Sequence, residues 1–148
     1  MQLKIIKAWE NNKHRLENHF KEMKGTENLS YGEIVRLLFE KVITDIESDD
    51  TWGDLNFNLS QLIELDHGSY QGTQIWIVPL DRYQPDVTDY VYTHNYYGSC
   101  SGCDTLQSIL SNHDYIEDED EFTFTEKQIR DLMTLALHLV QNMKFLVG

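Results

Sequence analysis

The spacing of the apolar residues changes twice along this chain, and those changes limit what it can fold into. In residues 1–24, Ile5, Ile6, Trp9, Leu16, Phe20 and Met23 recur at helical spacing. Between Leu55 and Tyr97 apolar and polar residues alternate, as they do in strands. Beyond Thr125 a helical stripe returns, with Leu132, Leu135, Ala136, Leu139, Val140 and Met143. Helices at both ends with strands between them predict an α+β fold.

The first helix ends at Gly25, and Ser30-Tyr-Gly-Glu33 opens a second. Ser30 can cap the first amides while Glu33 reaches back, the reciprocal pattern of a capping box. The run Ile34–Ile43 is apolar enough to be buried, and the helix is expected to end near Ile46. Asp45, Glu47, Asp49, Asp50 and Asp54 follow. Carboxylates at a helix C-terminus oppose its dipole, so they read as an acidic loop.

Leu55–Leu59 and part of Leu62–Leu65 alternate, Asp66–Gly72 is a turn cluster, and Thr73–Val78 is strongly β-prone. Pro79 and Pro85 punctuate the next connection, and Tyr90–Tyr97 is a further strand. Connections this short imply an antiparallel meander. Thr125-Glu-Lys-Gln128 caps the last helix. The expected architecture is an N-terminal helix pair, an antiparallel β-sheet of three or four strands, a short helix after the C-x-x-C turn and a long C-terminal helix. At 148 residues it is expected to form a single domain, 1–148.

Both cysteines lie in Gly98-Ser-Cys-Ser-Gly-Cys-Asp104, between the strand-like run and a helix-like run ending near Asn112. Thiols at a helix start are biased toward thiolate, the form that binds metal or attacks a disulfide. Two cysteines do not make a disulfide framework, so the C-x-x-C points to zinc or to redox chemistry. Two small core residues three apart are the plainer alternative.

Zinc needs further ligands beyond Cys100 and Cys103. His94 lies roughly 20 Å away along an extended strand, and His113 roughly 15 Å away along a straight helix. His138, set in Leu135-Ala-Leu-His-Leu-Val140, is expected to be partly buried and is the first candidate for a third ligand. His67 or Asp104 would be the fourth. Asp104 reads equally as a helix-start acid, and His138 as a core histidine bonded to a carbonyl. A structural zinc is the cofactor expected.

The net charge is −13, which disfavours phosphate backbones and leaves basic proteins as partners. Six carboxylates fall within Asp114–Glu121, and Glu117, Asp118, Glu119, Asp120 and Glu121 are the candidate partner-binding residues. No apolar run reaches the roughly 18–20 residues that a membrane span needs. The N-terminus lacks a signal-peptide pattern, so a cytoplasmic location is expected. Neither G-x-x-x-x-G-K-[ST] nor G-x-S-x-G occurs, and the chain is read as not an enzyme.

The octamer Tyr97-Gly-Ser-Cys-Ser-Gly-Cys-Asp104, with Tyr70-Gln-Gly72 upstream and Met133–Gln141 downstream, resembles a family of small bacteriophage and prophage proteins. The likeness covers roughly residues 65–145. The chain is also similar to the acidic, in part zinc-binding, anti-CRISPR proteins that act on type II effectors. That resemblance implies a phage-encoded stoichiometric inhibitor of a host defence nuclease. It would bind Cas9 or its guide-RNA complex in the host cytoplasm and block DNA loading, with zinc structural. Two other readings stand beside it: a thiol redox protein using Cys100 and Cys103, and a sponge for a nucleotide immune signal.

Overall fold

A computed structural model describes residues 2–23, 29–46, 56–68, 71–99, 104–111 and 123–146. It is an α+β fold with a four-stranded antiparallel sheet in the order β1-β2-β3-β4. The elements in chain order are α1 (Gln2–Glu22), α2 (Tyr31–Leu37), β1 (Ile63–Gly68), β2 (Gly72–Pro79), β3 (Tyr90–Tyr97), α3 (Thr105–Ser111), α4 (Glu126–Gln141) and β4 (Lys144–Phe145).

The helical stripes read from the sequence form the core. Ile5, Trp9, Leu16, Phe20 and Met23 of the first helical segment are buried against Leu132, Leu135, Leu139, Val140 and Met143 of the last. The sheet contributes Trp76, Val78, Val91 and Thr93 from its inner face. Thr93 Oγ1 donates to the Leu139 carbonyl at 2.7 Å. This fastens α4 to the sheet and satisfies one of the four carbonyls that a helix C-terminus leaves open.

Four expectations are corrected in detail. The second helix is regular only to Leu37. It then widens into a π-helical turn over Leu38–Val42, closed by Ile43 N–H donating to Leu38 O at 2.7 Å, and stops there. Ser30 accepts from Glu33 N at 3.2 Å, which is half of the expected capping box.

The alternation over 55–59 does not make a strand among the described residues. Phe57 bridges Leu80, and Asn58 then caps a 3₁₀ turn over Leu59–Gln61 that redirects the chain. The fourth strand comes instead from Lys144–Phe145, which returns after α4 to pair with Tyr92 and Val91.

His138 is exposed, not partly buried. It lies off the buried stripe of α4, so its apolar sequence neighbours do not enclose it. The capping box at Thr125 and Gln128, by contrast, forms in both directions. No helix among the described residues is long and apolar enough to cross a membrane.

Candidate functional site

The C-x-x-C is flanked in sequence by two described segments, Gly98–Ser99 after β3 and Asp104 before α3. Cys100 and Cys103 themselves lie outside the described residues. What holds the turn's two ends together is Asp104, a buried carboxylate at 5% exposure. Its Oδ2 accepts from Gly98 N at 2.9 Å. Its Oδ1 accepts from Gln107 N at 2.9 Å and from the Tyr31 hydroxyl at 3.0 Å. Gln107 Nε2 in turn donates to Gly98 O at 3.3 Å. Strand end and helix start are therefore clamped by side chains of the chain itself.

Asp104 was open to two readings, and it acts as the helix-start acid. Both its oxygens are taken by internal donors, which leaves it poorly placed to ligate a metal. Tyr31 completes the clamp from the start of α2, where its hydroxyl also accepts from Leu106 N at 3.1 Å. Burial pushes its phenol up to about 12, with the Leu106 amide opposing and Asp104 adding to the shift. Nearby, Tyr97 donates to Asp66 Oδ1 at 2.7 Å, which raises its pKa as well.

Beside Asp104 lies a cavity of about 230 Å³, walled by Tyr31, Glu64, Gln74, Tyr97, Asp104 and Gln107 among others. Glu64 Oε1 reaches into it to accept from the indole Nε1 of fully buried Trp76 at 2.9 Å. Gly32 makes room for this contact, since a Cβ there would stand 2.8 Å from Glu64 Oε1. The carboxylates and phenols around the cavity each have an internal partner: Tyr31 and Asp104 each other, Tyr97 Asp66, and Glu64 the Trp76 indole. Their chemistry is that of a polar joint between α2, the sheet and α3.

The joint carries a pH signature. An unfolded tyrosine deprotonates near 10, while Tyr31 in the fold holds its proton to about 12. The fold therefore binds the proton more tightly, and the resulting stability is fully present below pH 10 and lost as pH rises through 12. Allowing for partial solvent access, the loss is on the order of 2 kcal/mol. Thermal unfolding followed from pH 8 to 12 will show this fall, and Tyr31→Phe will flatten it. An unchanged slope in Tyr31→Phe contradicts the assignment.

The histidines proposed as zinc ligands are not brought together. His67 stands exposed on β1 in register with Thr73, on the sheet face away from the helices. His138 is exposed on α4, which packs on the opposite face through Thr93 and Leu139. These two side chains do not converge on one ion. Among the described residues no group of three or more His, Cys, Asp or Glu could hold a metal.

Charge is distributed unevenly. The described residues hold 14 acidic and 11 basic side chains, a net −3. Stretches 47–55 and 112–122 hold four and six acids with no Lys or Arg, and so carry −10 of the −13. Glu117–Glu121 belong to the second stretch, outside the described residues. Described residues near each stretch in sequence are held by hydrogen bonds. Asn56 Oδ1 accepts from Thr44 Oγ1 at 2.7 Å and from Asp45 N at 2.9 Å. Buried Gln128 donates to Ile109 O at 3.1 Å.

Helix α1 runs the other way, with five basic and three acidic residues. Its Lys4, Lys7 and Arg15 border a groove of about 470 Å³ that Thr44, Asp45 and Ile46 close. Arg15 lies 3.6 Å from Asp45 there.

Compared with protein-family models, curated proteins and solved structures, the chain matches none. Tyr31 was not foreseen as part of the site. Its only sequence signal was an aromatic residue directly after the Ser30 cap.

Proposed function

We propose that this chain is a phage-encoded stoichiometric inhibitor of a host defence nuclease, a type II CRISPR effector of the Cas9 kind, acting in the host cytoplasm. The observation that carries the reading is the segregation of charge: a body of net −3 bearing two stretches that together carry −10. Such effectors hold nucleic acid in positively charged channels. An acidic chain competes for those surfaces, and its field speeds the encounter. The likeness of Tyr97–Asp104 to phage proteins supports the same reading.

The test is a titration of target cleavage by guide-loaded type II effectors. Inhibition complete near one equivalent is expected, with potency falling as salt rises. Inhibition far below one equivalent indicates an enzyme. No inhibition in any effector, with no basic partner co-purifying, contradicts the proposal and leaves the redox and nucleotide-sponge readings.

Zinc belongs to this proposal as a staple of the turn, through Cys100 and Cys103. Protein purified without added metal or chelator is expected to carry about one equivalent, as a structural site does. Cys100→Ser should lose it and melt at lower temperature. His67→Ala and His138→Ala cannot both lower the content, given their placement on opposite sides of the sheet. Zinc below about a tenth of an equivalent, with Cys100→Ser as stable as the parent, removes the metal from the account.

A further inference from the structure

Strand β1 presents an edge that, among the described residues, nothing covers. It pairs with β2 on one side through six consecutive residues, from Ile63 opposite Ile77 to Gly68 opposite Gly72, with no bulge. All six of its residues are exposed. Natural edge strands are blunted by charged side chains, lysine above all, by inward-pointing charges, proline, bulges or a covering element. The segment Ile63-Glu-Leu-Asp-His-Gly68 has no lysine or proline, and the inward-pointing charges it does carry, Glu64 and Asp66, oppose a like-charged strand but not a basic one. An open edge of this kind is a template for another strand.

The side chains state what that strand must be. Ile63 and Leu65, 46% and 43% exposed, point to the outer face. There they continue the rows Ile63–Ile77–Tyr92 and Leu65–Ile75–His94 across the sheet. Glu64 and Asp66 point to the helix side. Their described partners are neutral donors, the Trp76 indole for Glu64 and the Tyr97 hydroxyl and Gln74 amide for Asp66. No described cation pairs with either carboxylate.

A second copy of the chain does not suit this edge. Two antiparallel edges related by a two-fold axis bring residues of like parity face to face. Registers centred on Glu64, Leu65 or Asp66 then set Glu64 against itself, Glu64 against Asp66, or Asp66 against itself. Like charges directly opposite one another are destabilising.

We infer that β1 is the docking edge for an extended segment of the partner in which basic and apolar residues alternate. The basic side chains face Glu64 and Asp66, and the apolar ones extend the outer rows. This rests on the reading of the chain as a binder of a basic protein and names where and how the two meet.

The probe is the peptide acetyl-(Lys-Val)₄-amide, compared with acetyl-Lys₄-Val₄-amide of the same composition, added to the full chain. The alternating peptide should bind at least tenfold more tightly. It should slow hydrogen exchange at least tenfold at every second amide of β1. Asp66→Lys should weaken it at least tenfold, and Asp66→Asn by less. Equal affinity for the two peptides means that charge alone attracts them and overturns the inference. So does binding without protection of β1, or a dimer of the chain through this edge.

The two proposals fail separately. If the chain inhibits an effector at one equivalent while neither peptide protects β1, the edge is not the docking surface and the inhibitor reading survives. If the alternating peptide protects β1 and no effector is inhibited, the edge inference survives and the inhibitor reading falls.

Discussion

Replacing Asp104 with alanine is expected to lower the unfolding free energy by about 3 kcal/mol, read as a shift in denaturant midpoint at constant slope. The carboxylate accepts from Gly98 N, Gln107 N and the Tyr31 hydroxyl, and it is itself buried. Removing it orphans three donors at once. A buried donor without an acceptor costs about 1–3 kcal/mol, and a lost helix cap about 1 kcal/mol. These terms do not add in full, because the cavity that Tyr31, Gly98, Asp104 and Gln107 help to line can admit water to some of the freed groups. Asp104→Asn should cost less, since one acceptor oxygen remains. Tyr31→Phe should cost about 1 kcal/mol, and the double variant less than the sum. A loss below about 0.5 kcal/mol in Asp104→Ala would mean that the clamp is not what holds the strand end to α3.

The second large effect concerns association. Converting Glu117, Asp118, Glu119, Asp120 and Glu121 to their amides leaves a net charge of −8 in place of −13. At low ionic strength the association rate with a basic effector should fall on the order of tenfold, while dissociation changes by less than about twofold. Stopped-flow mixing at several salt concentrations measures both, and the difference should close as screening shortens to about 8–10 Å at 0.1–0.15 M. A raised off-rate would instead place the run in direct contact with the partner. The fold should be unaffected, since Gln128, which donates to Ile109 O, is untouched.

The helical ends of this fold were legible because each carries a long one-sided stripe. Leu16 and Phe20, like Leu132 and Leu139, are all fully buried. Strands β2 and β3 were legible from alternation and β-branched or aromatic content. The pairing of β4 was not, because two residues carry no periodicity and Phe145 finds Val91 only through the tertiary fold. Nor could spacing foretell the π-helical turn at Leu38–Val42, where buried Leu38, Phe39 and Val42 fit either helix type.

At the site, Asp104 announced itself as the residue before a helix, but its partner Tyr31 lies 73 positions earlier. No local signal connects them. His138 misled for a related reason. A histidine among leucines reads as enclosed, yet helical geometry turns one residue outward between buried Leu135 and Leu139. The free edge of β1 is invisible in sequence, because edge or centre is decided by the order of strands in the sheet.

Sedimentation of the purified chain with a guide-loaded type II effector, with and without bound target DNA, tests the central claim most directly. The account predicts a one-to-one complex in the absence of DNA that weakens as salt rises and does not form once target DNA occupies the channel. An effector that binds no copy of the chain at low salt, or binds it equally with target DNA in place, would contradict it.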